Sequence, residues 1–240
     1  MIDFGARGRP IAARPPLGAR PLAARGRVWK HDAMPSLTPP VIPAGHLAAA
    51  TQPVLPIGGT ALSLRPWTVA DARAVITAYA DPDIRRWHGR TVDTEAEARA
   101  LIERWRSAWS AESGANWAIV RDEAAAGLGG TARTGAGRDV VLGRIALRMI
   151  ETEQGRAECA YWIMPDARGD GVATKALDAL AAWAFEDVGF HRLFLVHSTS
   201  NDASCRVAIK AGFEPEGVER SSILHVDGWH DMHVHSRISA

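Results

Sequence analysis

Ten of the fourteen prolines fall before Ile57. Proline fixes φ and has no backbone N–H, so a segment this dense in it cannot supply helix interiors or central strands. It also offers few large apolar side chains to bury. Residues 1–57 are therefore expected to be a disordered leader rich in Pro, Arg and Ala, and residues 58–240 the folded domain. The first 33 residues carry seven cations (Arg7, Arg9, Arg14, Arg20, Arg25, Arg27, Lys30) against Asp3 and Asp32, a net +5. They lack the unbroken apolar run of a secretory signal, and Met34 offers a second possible start. The whole chain carries only +1, so no global field selects nucleic acid as a partner. No stretch reaches the roughly 18 uninterrupted apolar residues of a membrane span. The best candidate, residues 171–190, is broken by Lys175, Asp178, Glu186 and Asp187. Two cysteines, Cys159 and Cys205, exclude a disulfide scaffold and fit a reducing cytoplasm.

From Gly58 onward, local signals alternate. Thr60 to Arg65 reads as a strand. Thr68 caps a helix that runs to about Ala80, where Asp81-Pro82 stops it. Thr94 and Glu97 form a capping box at the head of a helix reaching Ser110, with Trp105 and Trp109 on one face. Strands follow at Asn116–Arg121, Val140–Ile150 and Arg156–Met164, with an Ala/Gly-rich loop over residues 123–139. A helix spans Gly171 to Val188, burying Ala173, Leu177, Leu180, Ala184 and Val188. A strand at Arg192–His197 and a helix at Asn201–Ala211 come next. Two strands then flank Asp227-Gly228, a strong hairpin signal. The expected order, β-α-α-β-β-β-α-β-α-β-β, mixes crossovers with hairpins, so the fold class is α/β (α+β) with a mixed sheet.

Chemistry concentrates where the strand ending in Tyr161-Trp162-Ile163-Met164 turns through Pro165-Asp166-Ala167-Arg168-Gly169-Asp170-Gly171 into a helix beginning Val172-Ala173-Thr174. Gly169 and Gly171 allow positive φ and close backbone approach. The first helical N–H groups have no internal partner and sit at the positive end of the helix dipole. The segment can seat a phosphate, or it is simply a tight strand-to-helix turn. About thirty residues later stands Asn201-x-x-Ser204-x-x-Val207-x-x-Lys210-x-Gly212-Phe213, then Glu216-Gly217-x-x-Arg220.

With both motifs at this separation, the chain over residues 60–238 resembles the GCN5-related N-acetyltransferase (GNAT) superfamily, in the branch of the RimJ/RimL-like ribosomal-protein N-terminal acetyltransferases. The resemblance implies a mostly antiparallel twisted sheet flanked by helices, with one splayed strand pair. It implies acetyl-CoA as cosubstrate, its pyrophosphate on Arg168-x-x-Gly171-x-Ala173 and its pantetheine between Glu158–Met164 and Arg192–His197. The coenzyme residues would be Ile163, Met164, Arg168, Gly169, Asp170, Gly171, Val172, Ala173, Thr174 and Asn201. Asn201 can equally cap its helix. Ser204 matches the family position that protonates the leaving thiolate, and Glu158 is the leading candidate for a base. The acceptor would be a protein N-terminus or a small primary amine, and the protein a monomer or homodimer.

The acceptor pocket is assigned to Trp87, His225 and Asp231, with Trp67, Trp105 and Trp109 expected in the core. On a strand, Asp231, His233 and His235 share one face and resemble a metal set, but a coenzyme-binding transferase needs no metal and none is expected. Two further readings stand beside the enzyme. One is a catalytically idle acetyl-CoA-binding sensor or interaction module. The other is a dinucleotide-binding oxidoreductase, disfavoured because the Gly motif lies late and lacks Gly-x-Gly-x-x-Gly spacing.

Overall fold

The structure is a computed structural model that describes residues 37–122 and 139–239. In chain order these residues form β1 (Leu55–Ile57), β2 (Leu62–Pro66), α1 (Ala72–Ala80), α2 (Pro82–His88), α3 (Glu95–Ser110), β3 (Gly114–Asp122), β4 (Asp139–Glu151), β5 (Arg156–Ile163), α4 (Val172–Trp183), β6 (Arg192–Ser198), α5 (Asp202–Lys210), β7 (Glu214–His225) and β8 (Gly228–Ile238). All the strands join one sheet in the order β1-β2-β3-β4-β5-β6-β8-β7. Its pairings are antiparallel except for β5 with β6. The mixed, mostly antiparallel sheet expected from the sequence is the one observed.

Each face carries its own apolar layer. On one, α4 buries Ala173, Ala176, Leu177, Leu180 and Ala181 against Leu147, Ala157 and Leu193 of the strands. On the other, Val75, Tyr79, Ile102 and Trp105 of the first helices pack with Trp67 and Trp162. The Trp67 ring lies 5.0 Å from Trp105 and 6.1 Å from Trp162. Local signals set the helix starts. Thr94 Oγ1 accepts from Glu97 N–H while the Glu97 carboxylate accepts from Thr94 N–H. Such a cap contributes about 1 kcal/mol. The last turn of the α4 helix, Ala184–Val188, widens to a π-helix and ends at Gly189, whose φ is 88°.

Two expectations need correction. Asp81-Pro82 ends α1 but also starts α2. Asp81 Oδ1 accepts from Ile84 N–H at 2.9 Å, Pro82 takes the first helical position, and Gly89 terminates the helix in the left-handed region (φ 58°). Proline's fixed φ suits that first position, and its missing N–H costs nothing there.

The second correction concerns the boundary at Gly58, because the packed chain begins earlier. Ile42 and Leu47 are buried, and β1 pairs with β2. The Glu112 carboxylate accepts from Gly45, Leu47 and Ala48 N–H at 2.6, 2.7 and 3.2 Å. Burial alone would raise that carboxyl, but the three N–H groups hold it below its ordinary range. Indole N–H groups of Trp109 and Trp117 donate to Ala50 O and Pro53 O, both at 2.8 Å. Proline density excludes regular interior elements, yet it lets an extended strap lay isolated apolar residues on a core. The expected leader over residues 1–36 and the loop over 123–138 lie outside the described residues. Among the described residues, no helix is long and apolar enough to cross a membrane.

Two truncations separate the strap from what precedes it. Removing residues 1–33 is expected to leave the melting temperature unchanged. Removing residues 1–57 exposes the sites of Ile42, Leu47, Leu55 and Ile57, each worth about 1.5–3 kcal/mol when buried. That is a large part of an ordinary domain stability of about 5–15 kcal/mol. Thermal unfolding followed by circular dichroism should show a marked fall for the second truncation only. Coincident melts of the two would contradict the packing described.

Candidate active site

The parallel strands β5 and β6 meet only over Arg156↔Arg192, Ala157↔Leu193 and Glu158↔Phe194. Beyond those pairs they part, β5 staying on β4 as far as Gly143↔Ile163 and β6 on β8 as far as Ser198↔Met232. The expected gap is therefore present, opening at Cys159 and Leu195. In an antiparallel ladder, successive residues turn their N–H and C=O groups to opposite sides. Met164 N–H donates to Leu142 O at 2.8 Å. By alternation, the main-chain groups of Ile163, Tyr161 and Cys159 face the gap.

At the end of β5, Gly169 (φ 91°) and Gly171 (φ 73°) occupy the left-handed region, and α4 begins at Gly171 without a side-chain cap. Its first N–H groups, on Val172, Ala173 and Thr174, stand at the positive end of a helix twelve residues long. They open onto a groove of about 420 Å³ that Ile163, Arg168, Gly169 and Gly171 also line. Arg206 and Lys210 of α5 line the same groove. Two expected residues do not line it. Met164 packs against the apolar layers, and Asp170 instead gives its carbonyl to Lys175 Nζ at 3.3 Å. Arg168 reaches the groove, but its guanidinium is held by Asp81 and Asp83 and its Nε donates to Ile163 O at 3.2 Å. Burial would raise the Asp81 carboxyl, but Arg168 and neighbouring N–H groups bring it below its usual range. Arg168 thus ties the loop to α2.

A second cavity, about 450 Å³, shares Trp87, His88, Tyr161, Asn201 and Ser204 with the groove. These five residues form the junction between the two spaces. Asn201 Oδ1 accepts Ser204 N–H at 3.1 Å, so Asn201 caps α5 with its oxygen while lining both cavities. The Tyr161 hydroxyl is buried without a hydrogen bond of full geometry. Burial pushes its pKa up to about 12, against the pull of the nearby Ser204 hydroxyl. Burial, then the charges of Arg144 and Arg148, push His88 down to about 4, so its imidazole is neutral at neutral pH. Neither Tyr161 nor His88 was assigned a role from sequence. The only available hint was adjacency, Tyr161 to the loop motif and His88 to Trp87.

The second cavity is cationic. Arg90, Arg144 and Arg148 line it with Tyr79 and Trp105. Arg144 donates through Nε to Asn116 Oδ1 at 3.1 Å and lies 4.7 Å from the Trp105 ring. Burial and the charge of Arg148 lower its pKa to about 10, with Tyr79 opposing. His225 lines this cavity too, its Nδ1 3.2 Å from Arg86 O. A carbonyl only accepts, so Nδ1 donates to it, and among the described residues the buried Nε2 has no hydrogen-bond partner. Trp87 packs edge-on to His225 at 5.8 Å. The other expected tryptophans behave as core, although Trp105 also reaches the cavity.

Two assigned residues line neither cavity. Glu158 is buried where β5 and β6 still pair and is ion-paired to Arg148 from the facing position on β4. Asp231 is exposed, its Oδ1 accepts Ser221 N–H at 2.8 Å, and it also lines neither cavity.

The depressed pKa of His88 has a consequence for stability. The ordinary pKa is about 6.5 and the folded value about 4, so between these pH values unfolding takes up a proton. The contribution is complete above pH 6.5 and is lost as the pH falls toward 4. Melting temperatures of the wild type should therefore drop more steeply across that window than those of His88→Gln. Parallel slopes would contradict the burial of a neutral imidazole here.

Comparison with known proteins agrees with this geometry. Residues 61–214 match the acetyltransferase (GNAT) domain family. An uncharacterised N-acetyltransferase of Bacillus subtilis, YoaA, is 26% identical over 178 residues, covering 73% of this chain and 92% of the relative. The ribosomal-protein-serine acetyltransferase of Escherichia coli is 28% identical over 100 residues, 42% of this chain and 56% of the relative. Among solved structures, RimL, a ribosomal-protein alpha-N-acetyltransferase in complex with coenzyme A, superposes with a TM-score of 0.64 at 18% identity over 78% of this chain and 98% of its own. That likeness shows a common fold. Its parted strands, its glycine loop at a helix start and the family match together make this chain a member of the GNAT acetyltransferase family.

Proposed function

We propose that this protein transfers the acetyl group of acetyl-CoA to a primary amine within a ternary complex, the two substrates entering the two cavities and meeting at Tyr161, Asn201 and Ser204. The observation that carries this reading is the sharing of those residues, with Trp87 and His88, between an anion-seating groove and a second, cationic space. The residues fit the cosubstrate. N–H groups of Val172, Ala173 and Thr174, with Arg206 and Lys210 nearby, suit a pyrophosphate. The gap-facing main-chain N–H groups of Cys159, Tyr161 and Ile163 suit an extended arm bearing amides, which pairs with them like an added strand, while Ile163 O already accepts from Arg168 and the Tyr161 backbone bonds His88.

The acceptor nitrogen attacks the thioester carbonyl, forming the C–N bond, and the C–S bond breaks. N–H groups facing the gap stabilise the oxyanion. Ser204, which the Tyr161 hydroxyl adjoins, passes its proton to the departing sulfur and takes one back from solvent, while the ammonium proton leaves through the neutral His88 or His225 Nε2 to solvent. A partly buried Arg144 with two further arginines beside it favours an acceptor that carries negative charge near its amine. A protein N-terminus followed by acidic residues has that character, and the name of the Escherichia coli relative makes a protein acceptor a natural first candidate. Small anionic amines share the chemistry.

Thiol release measured over a panel of N-terminal peptides and small amines tests this, with neutral and anionic members matched in size. Anionic acceptors should show the lower KM. With the best acceptor, Ser204→Ala is expected to lower kcat ~10- to 1000-fold, the scale of a lost proton donor or transition-state hydrogen bond. Asn201→Ala should mainly weaken acetyl-CoA binding. A purely structural Asn201 would instead cost about 1 kcal/mol of stability with affinity intact. Full kcat in Ser204→Ala would remove that residue from the chemistry, and absence of thiol release with every amine would overturn the transferase reading.

A further inference from the structure

Beside the junction, four side chains converge from three elements: His197 at the end of β6, Cys205 in α5, and His233 and His235 in β8. His197 and His233 face each other across the β6–β8 ladder, and His235 follows two residues on, the same-face spacing of a strand. Each of the four offers one donor atom, and these atoms all lie within 4.8 Å of one another. Nε2 of His197 is 3.2 Å from Nε2 of His235, and Cys205 Sγ is 3.9 Å from the same His235 nitrogen. With zinc–nitrogen bonds of about 2.0–2.1 Å and zinc–sulfur bonds of about 2.3 Å, a tetrahedron has N–N edges of about 3.3 Å and N–S edges of about 3.6 Å. Two of its six edges, 3.2 and 3.9 Å, are near those lengths, and the rest lie within 4.8 Å.

Its hydrogen bonding points the same way. His197 Nδ1 lies 2.8 Å from Ser198 O, and His235 Nδ1 lies 3.3 Å from Phe213 O. Each carbonyl only accepts, so both Nδ1 atoms carry protons and both Nε2 atoms turn lone pairs toward each other. In the neutral imidazoles, two lone pairs at that distance repel unless a metal ion or a shared proton stands between them. An imidazole oriented through its other N–H by a backbone carbonyl is the usual state of a metal-bound histidine. His233 contributes a buried Nδ1 that has no hydrogen-bond partner among the described residues.

We propose that His197, Cys205, His233 and His235 form a tetrahedral zinc(II) site. This departs from the sequence expectation of no metal. The face then considered paired His233 and His235 with Asp231, which the fold gives to Ser221 N–H; the missing ligands come from β6 and α5. Three imidazoles and a thiolate are the borderline-soft donors that select zinc among common divalent ions. Four protein ligands leave no open position, so the ion is structural. It fastens the first turns of α5, which carry Asn201 and Ser204, to β6 and β8. The site does not depend on the acetyl-transfer reading.

The test uses the full chain without a polyhistidine tag, stripped with chelator and titrated with Zn²⁺ or Co²⁺. One metal ion per chain is expected. The Co²⁺ form should show the strong visible d–d bands of a tetrahedral site and near-ultraviolet thiolate-to-cobalt charge transfer. Zn²⁺ should raise the melting temperature by mass action. Cys205→Ser should lose the charge-transfer band, and His233→Asn should bind at least about tenfold more weakly, each with the wild-type circular dichroism spectrum. Failure of the stripped wild type to bind stoichiometric metal, Co²⁺ binding without thiolate charge transfer, or unchanged affinity in His233→Asn would each overturn the proposal. The wild-type cobalt spectrum alone decides thiolate ligation, whether or not a variant folds.

Discussion

Where β5 leaves β6, past Glu158 and Phe194, the two strands stop pairing with each other and main-chain groups of β5 turn into an opening within the sheet. A buried N–H or C=O without a partner is costly, so such an opening persists only if solvent or a ligand satisfies it. Everything around the site follows from that parting. β4 and β8 hold the two strands apart from outside, and the buried Glu158, paired with the half-exposed Arg148, marks the closed end. The glycine loop and α4 begin where β5 stops, and α5 begins where β6 stops. The anion seat, the Asn201 cap and the Ser204 hydroxyl are thus delivered to one place by strand ends alone.

The roof over this place is α2. Arg168 reaches from the glycine loop to Asp81 and Asp83 at its start. Arg86 reaches Asp227 of the β7–β8 turn at 2.7 Å, and His225 bonds the Arg86 carbonyl. Half-exposed ion pairs of this kind contribute only about 0–1 kcal/mol each. They position the helix more than they stabilise the protein, and a lightly held roof suits a junction that two substrates must enter. In the cationic second cavity Arg144 has an amide oxygen and an indole face as neighbours and, among the described residues, no ion pair, which leaves its charge available to whatever enters.

Features that depend on a few adjacent residues were legible in the sequence. The Thr94–Glu97 capping box, the Asp227-Gly228 hairpin, the Gly171 helix start and the Asn201 cap are all where local chemistry puts them. Features that depend on packing at a distance were not. The strap carrying Ile42 and Leu47 reads as leader because its apolar residues are isolated among prolines, and the distant Glu112, Trp109 and Trp117 side chains that hold it down appear only in the fold. Helix α2 was hidden because Asp-Pro serves equally to stop one helix and start the next. Glu158 was correctly placed on the splayed strand, but its role depends on register, which sets Arg148 opposite it. His88, Tyr161 and Arg144 come from separate elements and become a site only once the sheet is assembled.

The central claim is that the parted strand and the glycine loop hold the cosubstrate through their backbone. Residue-resolved amide hydrogen exchange with and without acetyl-CoA tests it most directly. The account predicts slowed exchange at Cys159, Tyr161 and Ile163 and at Val172 to Thr174, with β1 and β2 unaffected. Saturating acetyl-CoA that leaves those amides unchanged, or protects a different surface, would contradict it.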